Sequence, residues 1–208
     1  MTATQTRAAA SPAAQAVAAE TPAGRPTGWW GMVLFITTEA AVFASLIASY
    51  FYLRFRATPA WPLGGIPPPE LRLPLVMSAI LLSSSIPMAF ADRGIRKGRV
   101  GRLKLGLAVT FLLGATFLGL QGQEYITKLK EFTPQTNVYG SLFFAITGFH
   151  GLHVAVGLLM NLFAQLRAWL GHFSGGRHLH VQTTAMYWHF VDAVWVVIML
   201  SLYVGPHL

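Results

Sequence analysis

The chain has no cysteine and little charge, with 11% of its 208 residues being Asp, Glu, Lys or Arg. The missing thiol excludes disulfides, thiolate metal sites, iron–sulfur clusters and a cysteine nucleophile, which leaves His, Asp and Glu as metal ligands. Seven acidic against fifteen basic residues give a net charge of +8. Apolar runs of about twenty residues separate the basic clusters, so they do not form the continuous basic surface that nucleic acid binding requires. There is no phosphate-binding glycine loop, nucleophile elbow or zinc-protease helix motif. Apolar surface, by contrast, is abundant. A hydrophobic share of 54% and a mean hydropathy of +0.52 exceed what a soluble domain of this length can bury, and point to a membrane protein.

Residues 1–28 are rich in alanine, carry Pro12, Pro22 and Pro26, and read as a disordered N-terminal arm. Residues 29–208 read as one all-α domain, a polytopic bundle of five transmembrane helices. The spans fall at 29–53, 71–91, 103–123, 138–165 and 181–204, each long enough to cross about 30 Å of hydrocarbon. Short alternating segments of the barrel kind are absent. Pro74 and Pro87 are expected to bend the second span. Pro59, Pro62, Gly64, Gly65 and Pro67 to Pro69 predict a stiff surface loop before it. Ten basic residues fall on the side of the arm (Arg7, Arg25), the second loop (Arg93 to Lys104) and the fourth loop (Arg167, Arg177), against five on the other. This asymmetry predicts the N-terminus inside and the C-terminus outside.

Small residues recur at every fourth position as Ala40, Ala44, Ala48, as Gly106, Thr110, Gly114, and as Thr147, Gly151, Ala155. Such stripes permit close helix contact. Five spans do not divide into two equal halves, which argues against a repeat-built transporter.

Few residues in the spans are suited to chemistry. Glu39 lies near mid-membrane, where a carboxylate costs about 2.5 to 3.5 kcal/mol, so it must be protonated, paired or wet. Thr37 and Thr38 offer it hydroxyl partners. His189 and Asp192, three apart on one helical face, are expected to bond each other, and Tyr187 and Trp188 to anchor the helix near the interface. His150 and His153 share a helix, and hydrogen bonds to neighbouring helices account for them better than a metal or haem site does. Glu124 reads as an interfacial carboxylate bonded to a loop. Arg167 and His172, with Arg177, His178 and His180, form a basic cluster suited to lipid phosphates or to a solvated loop.

Several collinear motifs recur along residues 29–204. They are Gly31 to Glu39, Trp61-Pro62 with Gly65-Ile66, Leu120-Gln121 with Glu124-Tyr125, Val138 to Ser141, Thr147 to Val154, and Tyr187 to Trp195. In these the chain resembles subunit III of the haem–copper respiratory oxidases, in the cytochrome c oxidase branch and in its shorter five-helix bacterial form. It departs from that family in carrying Thr38-Glu39 for Ser-Glu and Met77-Ser78 for Asn-Thr, and in lacking the two additional N-terminal helices of the seven-helix form. The resemblance implies a multi-pass subunit of a bacterial plasma membrane that binds no haem or metal itself. It would contact subunit I directly and join subunit II and other subunits in a complex. Those partners carry haem a and copper, reduce oxygen to water and pump protons. Glu39 falls on the family's buried carbodiimide-reactive glutamate. Arg167 and His172 fall where the family holds structural phospholipids, which are thought to support oxygen access and protect subunit I. The subunit is also thought to keep proton uptake working. Two other readings stay open: the equivalent subunit of a quinol oxidase or a nitric oxide reductase accessory protein, and an independent proton-coupled transporter acting through Glu39.

Overall fold

The computed structural model describes residues 25–57, 61–173 and 178–207. Residues 1–24 of the arm expected over residues 1–28, together with Pro59 and Arg177, lie outside them. The described residues contain no strand and form five helices long and apolar enough to cross a membrane. They are α1 (Thr27–Arg56), α2 (Arg72–Arg96), α3 (Val100–Glu131), α4 (Val138–Trp169) and α5 (Leu179–Ile198). α5 continues through a π turn, Met199–Val204, into a 3-10 turn, Gly205–His207.

Most of these helices outrun the apolar spans. α3 starts at Val100 and ends at Glu131 rather than covering 103–123, α4 continues to Trp169, and α1 begins at Thr27, inside the segment expected to be arm. The added turns hold Arg, Lys and Glu, which are good helix formers that hydropathy does not count. Lys128 and Lys130 lie in the last turn of α3, where cations complement the helix dipole. Pro74 falls in the first turn of α2, where an amide N–H has no intrahelical acceptor, and the helix runs on through Pro87. Asn137 caps α4, its Oδ1 accepting from the Gly140 N–H at 2.9 Å.

α2 and α3 form the most extensive contact, α3, α4 and α5 continue the bundle, and α1 lies against α5 and α4. Gly106 makes the first contact possible, because a Cβ there would sit 2.5 Å from the Pro87 carbonyl oxygen. Gly114 does the same for Trp188, whose ring would lie 2.6 Å from such a Cβ. The Gly106, Thr110, Gly114 stripe therefore serves helix packing as expected. The Ala40, Ala44, Ala48 stripe does not, since all three residues are exposed. α1 turns inward instead the face bearing Met32, Ile36, Glu39, Phe43, Leu46 and Tyr50, whose larger side chains bury more area.

At one end of the bundle the start of α1 meets the start of α5, with Gly28 beside Leu179. At the other, Arg54 Nη2 donates to the Gly205 carbonyl at 2.7 Å. There the loop after α1 is more than surface. Trp61 packs edge-on to Tyr50 and Tyr139 and donates to the Tyr50 hydroxyl at 3.0 Å, and Pro62 and Pro69 are buried. Asn137 Nδ2 donates to Leu63 O at 2.9 Å, and His207 Nε2 lies 3.1 Å from Pro69 O. The aromatic content of the loop, which proline counting ignores, makes it a lid over this end.

Candidate functional site

The polar side chains inside the bundle gather into separate clusters at helix contacts. The first joins α1 to α4. His153 places Nδ1 2.6 Å from Phe149 O one turn back, and Nε2 3.1 Å from Glu39 Oε2. The carbonyl only accepts, so Nδ1 carries a proton. Nε2 then meets the carboxyl through one hydrogen bond and one proton. Phe43 packs edge-on to the imidazole at 4.9 Å, and the Tyr187 hydroxyl donates to His153 O at 3.3 Å. The Glu39 side chain retains 24% of its exposure against 10% for His153, so the pair opens sideways from the bundle. Thr37 and Thr38 are not its partners. Their hydroxyls donate back to Val33 O at 2.9 Å and Phe35 O at 2.7 Å, because a helical threonine reaches the preceding turn more readily than a neighbouring side chain.

The second cluster joins α2 to α5. His189 and Asp192 do not bond directly. Ser85 stands between them, with its Oγ 2.9 Å from His189 Nδ1 and its hydroxyl donating to Asp192 Oδ2. One helix turn of α5 thus closes on a serine of α2. The same face of α2 accepts two indoles, Trp188 Nε1 donating to Ser84 Oγ at 2.8 Å and Trp195 Nε1 to Ser78 Oγ at 2.9 Å. Tyr187 and Trp188 are therefore core residues rather than interfacial anchors, with 1% and 0% exposure. The run Ser83-Ser84-Ser85 in an apolar helix was the available signal for this contact.

Glu124 is buried and accepts from the Tyr203 hydroxyl at 3.1 Å, so its partner is the π turn after α5 rather than a loop. Nearby, Gln121 Nε2 donates to Thr147 O and the Tyr125 hydroxyl meets Thr147 Oγ1, both at 2.7 Å. His150 departs most from expectation. It is fully buried, neither ring nitrogen has a hydrogen-bond partner among the described residues, and Trp195 at 5.1 Å and Phe117 at 5.8 Å enclose it. The turn from His153 to His150 points the ring into an aromatic box between α3 and α5. Among the described residues no group of three His, Asp or Glu could hold a metal ion.

Arg167 and His172 lie at the end of the bundle where α4 finishes. The Arg167 guanidinium stands 5.5 Å from the centre of the Phe173 ring and 5.7 Å from Phe163, its carbonyl accepts from the His172 N–H at 3.1 Å, and the His172 side chain is exposed. This is a cation held over aromatic rings next to an exposed imidazole.

Five helices long and apolar enough to cross a membrane, joined by hydrogen bonds from an acid on one element to an imidazole or hydroxyl on another, define a multi-pass membrane protein. The description cytochrome c oxidase subunit III belongs to the family profile that matches residues 14–206. Proteins named cytochrome c oxidase subunit 3 from Lumbricus terrestris and Oryctolagus cuniculus are 38% and 37% identical over 179 residues, covering 84% of this chain and 68% of theirs. That from Cyprinus carpio is 38% identical over the same shares. The chain belongs to the cytochrome c oxidase subunit III family.

Proposed function

We propose that this chain is the non-redox, lipid-binding subunit III of an aa3-type cytochrome c oxidase, set in a bacterial plasma membrane with its N-terminus inside. It binds subunit I directly, joins subunit II and the remaining subunits, and carries no haem or copper itself. Its part in the proton-translocating enzyme is to stabilise subunit I and support proton uptake. The observation that carries this reading is the family membership, together with a bundle whose internal acids Glu39, Asp192 and Glu124 each bond an imidazole or a hydroxyl of another element. Such pairs hold helices in register and suit a scaffold.

The open side of α1 supports the same reading. Thr37, Thr38, Ala41, Ser45, Ala48 and Ser49 are exposed there, and small residues on a membrane helix permit close approach of a neighbour. Arg167 and His172 supply the cation and the donor that a phospholipid phosphate takes. The test is turnover of the oxidase complex prepared with and without this chain. Both preparations should start at the same rate of oxygen consumption, and the one lacking it should inactivate sooner. Equal lifetimes would reject the supporting role.

A further inference from the structure

A second place for an anion lies apart from Arg167 and His172. A polar cleft of about 570 Å³ opens between the start of α1, the end of α2 and the start of α5. Its walls have a depth order set by the antiparallel contact of α2 with α5, in which Ser85 meets His189 and Ser84 meets Trp188. Arg93 and Arg96 lie outermost on α2, across from Gln182 on α5, with Trp29 contributed by α1 and Arg25 by the residues just before it. One turn deeper come Ala89, Ala185 and Met186, and His189 forms the floor.

Charge at the mouth is unbalanced. Three guanidinium groups face one carboxylate, and Asp92 is already engaged by Arg96 at 2.9 Å. Arg93 is exposed, and Arg25 lies 4.0 Å from the centre of the Trp29 ring, which leaves its N–H edge for a ligand. Arginine forks match the paired oxygens of a phosphate, and the apolar second layer excludes a ligand charged throughout its length. Three cations around one concavity, two from the end of α2 and one from the residues just before α1, differ from a solvated basic loop, whose charges splay outward.

We propose that this cleft binds a phosphate-bearing anion at the Arg25, Arg93 and Arg96 mouth, with its less polar part against Ala89, Ala185 and Met186. The chemistry is that of an anionic phospholipid head group or of free phosphate. This proposal rests on the chain being a membrane subunit, but not on lipid at Arg167.

The test uses the chain purified in whatever assembly it occupies, with native mass spectrometry after exchange into phosphatidylglycerol or phosphatidylcholine nanodiscs. The double variant Arg25→Gln with Arg93→Gln should lose one retained phosphatidylglycerol, with affinity falling about thirtyfold for two cations at the membrane surface. Arg167→Ala should keep that lipid, so failure at Arg167 and failure here are separable. Ala89→Phe, which fills the cleft and leaves the arginines in place, should also lose it. Addition of inorganic phosphate separates the two sources. Retention of the lipid supports a head-group site, and displacement, with phosphate itself bound to the wild type and not to the double variant, supports a free-phosphate site. Unchanged lipid and phosphate occupancy in both the double variant and Ala89→Phe would overturn the proposal. So would cross-linking from Arg93→Cys, the sole thiol of the chain, to a polypeptide segment occupying the cleft.

Discussion

Removing the Glu39 carboxyl tests whether the α1 to α4 contact is held by a hydrogen bond, and the structure sets the size of the effect. His153 Nδ1 is committed to Phe149 O at 2.6 Å, so Nε2 has Glu39 as its one partner among the described residues, at 3.1 Å. Glu39→Ala therefore leaves a buried ring nitrogen without its partner. In a soluble core that costs about 1 to 3 kcal/mol, whereas hydrogen bonds inside membrane bundles average about 0.6 and reach about 1.7. With the Glu39 side chain 24% exposed, some relaxation is available, and we expect a loss of about 1 kcal/mol. Glu39→Gln should cost less than about half of that, because an amide of the same size keeps a hydrogen bond to Nε2. Detergent unfolding of the two variants, of His153→Ala and of Glu39→Ala with His153→Ala completes a double-mutant cycle. A coupling near zero would refute the hydrogen bond. Glu39→Gln as damaging as Glu39→Ala would refute the proton-sharing form of it and favour a charged pair.

Three further substitutions read other contacts. Gly114→Ala should destabilise by about 1 to 3 kcal/mol, since its Cβ would fall 2.6 Å from Trp188 and 2.9 Å from Leu158, whereas Gly119→Ala on the same helix meets nothing within 4 Å and should be neutral or stabilise by up to about 1 kcal/mol. Equal effects in the same unfolding assay would contradict the packing described. Ser85→Ala removes the hydroxyl shared by His189 and Asp192 and should cost about 1 to 2 kcal/mol, with Ser85→Thr restoring most of it. Tyr203→Phe leaves Glu124 without its donor and should loosen the turn after α5, seen as faster hydrogen exchange at residues 199 to 204, while α2 and α3 remain unchanged.

How far the fold was legible depends on what each residue type reports. Apolar runs located all five helices, because burying a backbone in lipid requires a helix of that length. They could not locate the ends, where Lys128, Lys130 and Glu131 continue α3 beyond the hydrocarbon. Glu39 stood out by its cost in the membrane, and Asp192 by its spacing from His189, but spacing along one helix does not reveal the partner on another. That is why Ser85 went unread, and why His153 was not matched to Glu39. Trp188 was misplaced because an indole suits both an interface and a core, and Ser84 decided the matter. His150 was given hydrogen bonds it does not make, since its aromatic surroundings come from three different helices.

The central claim, that this chain is a colourless member of an oxidase assembly, is tested most directly by purifying the tagged chain from its native membrane in mild detergent. Optical spectra and metal analysis then identify what comes with it. The account predicts a large complex containing haem a and copper, with neither centre retained by the chain once it is separated. A chain recovered alone and without colour across several mild detergents, or one that keeps a redox centre when isolated, would contradict it.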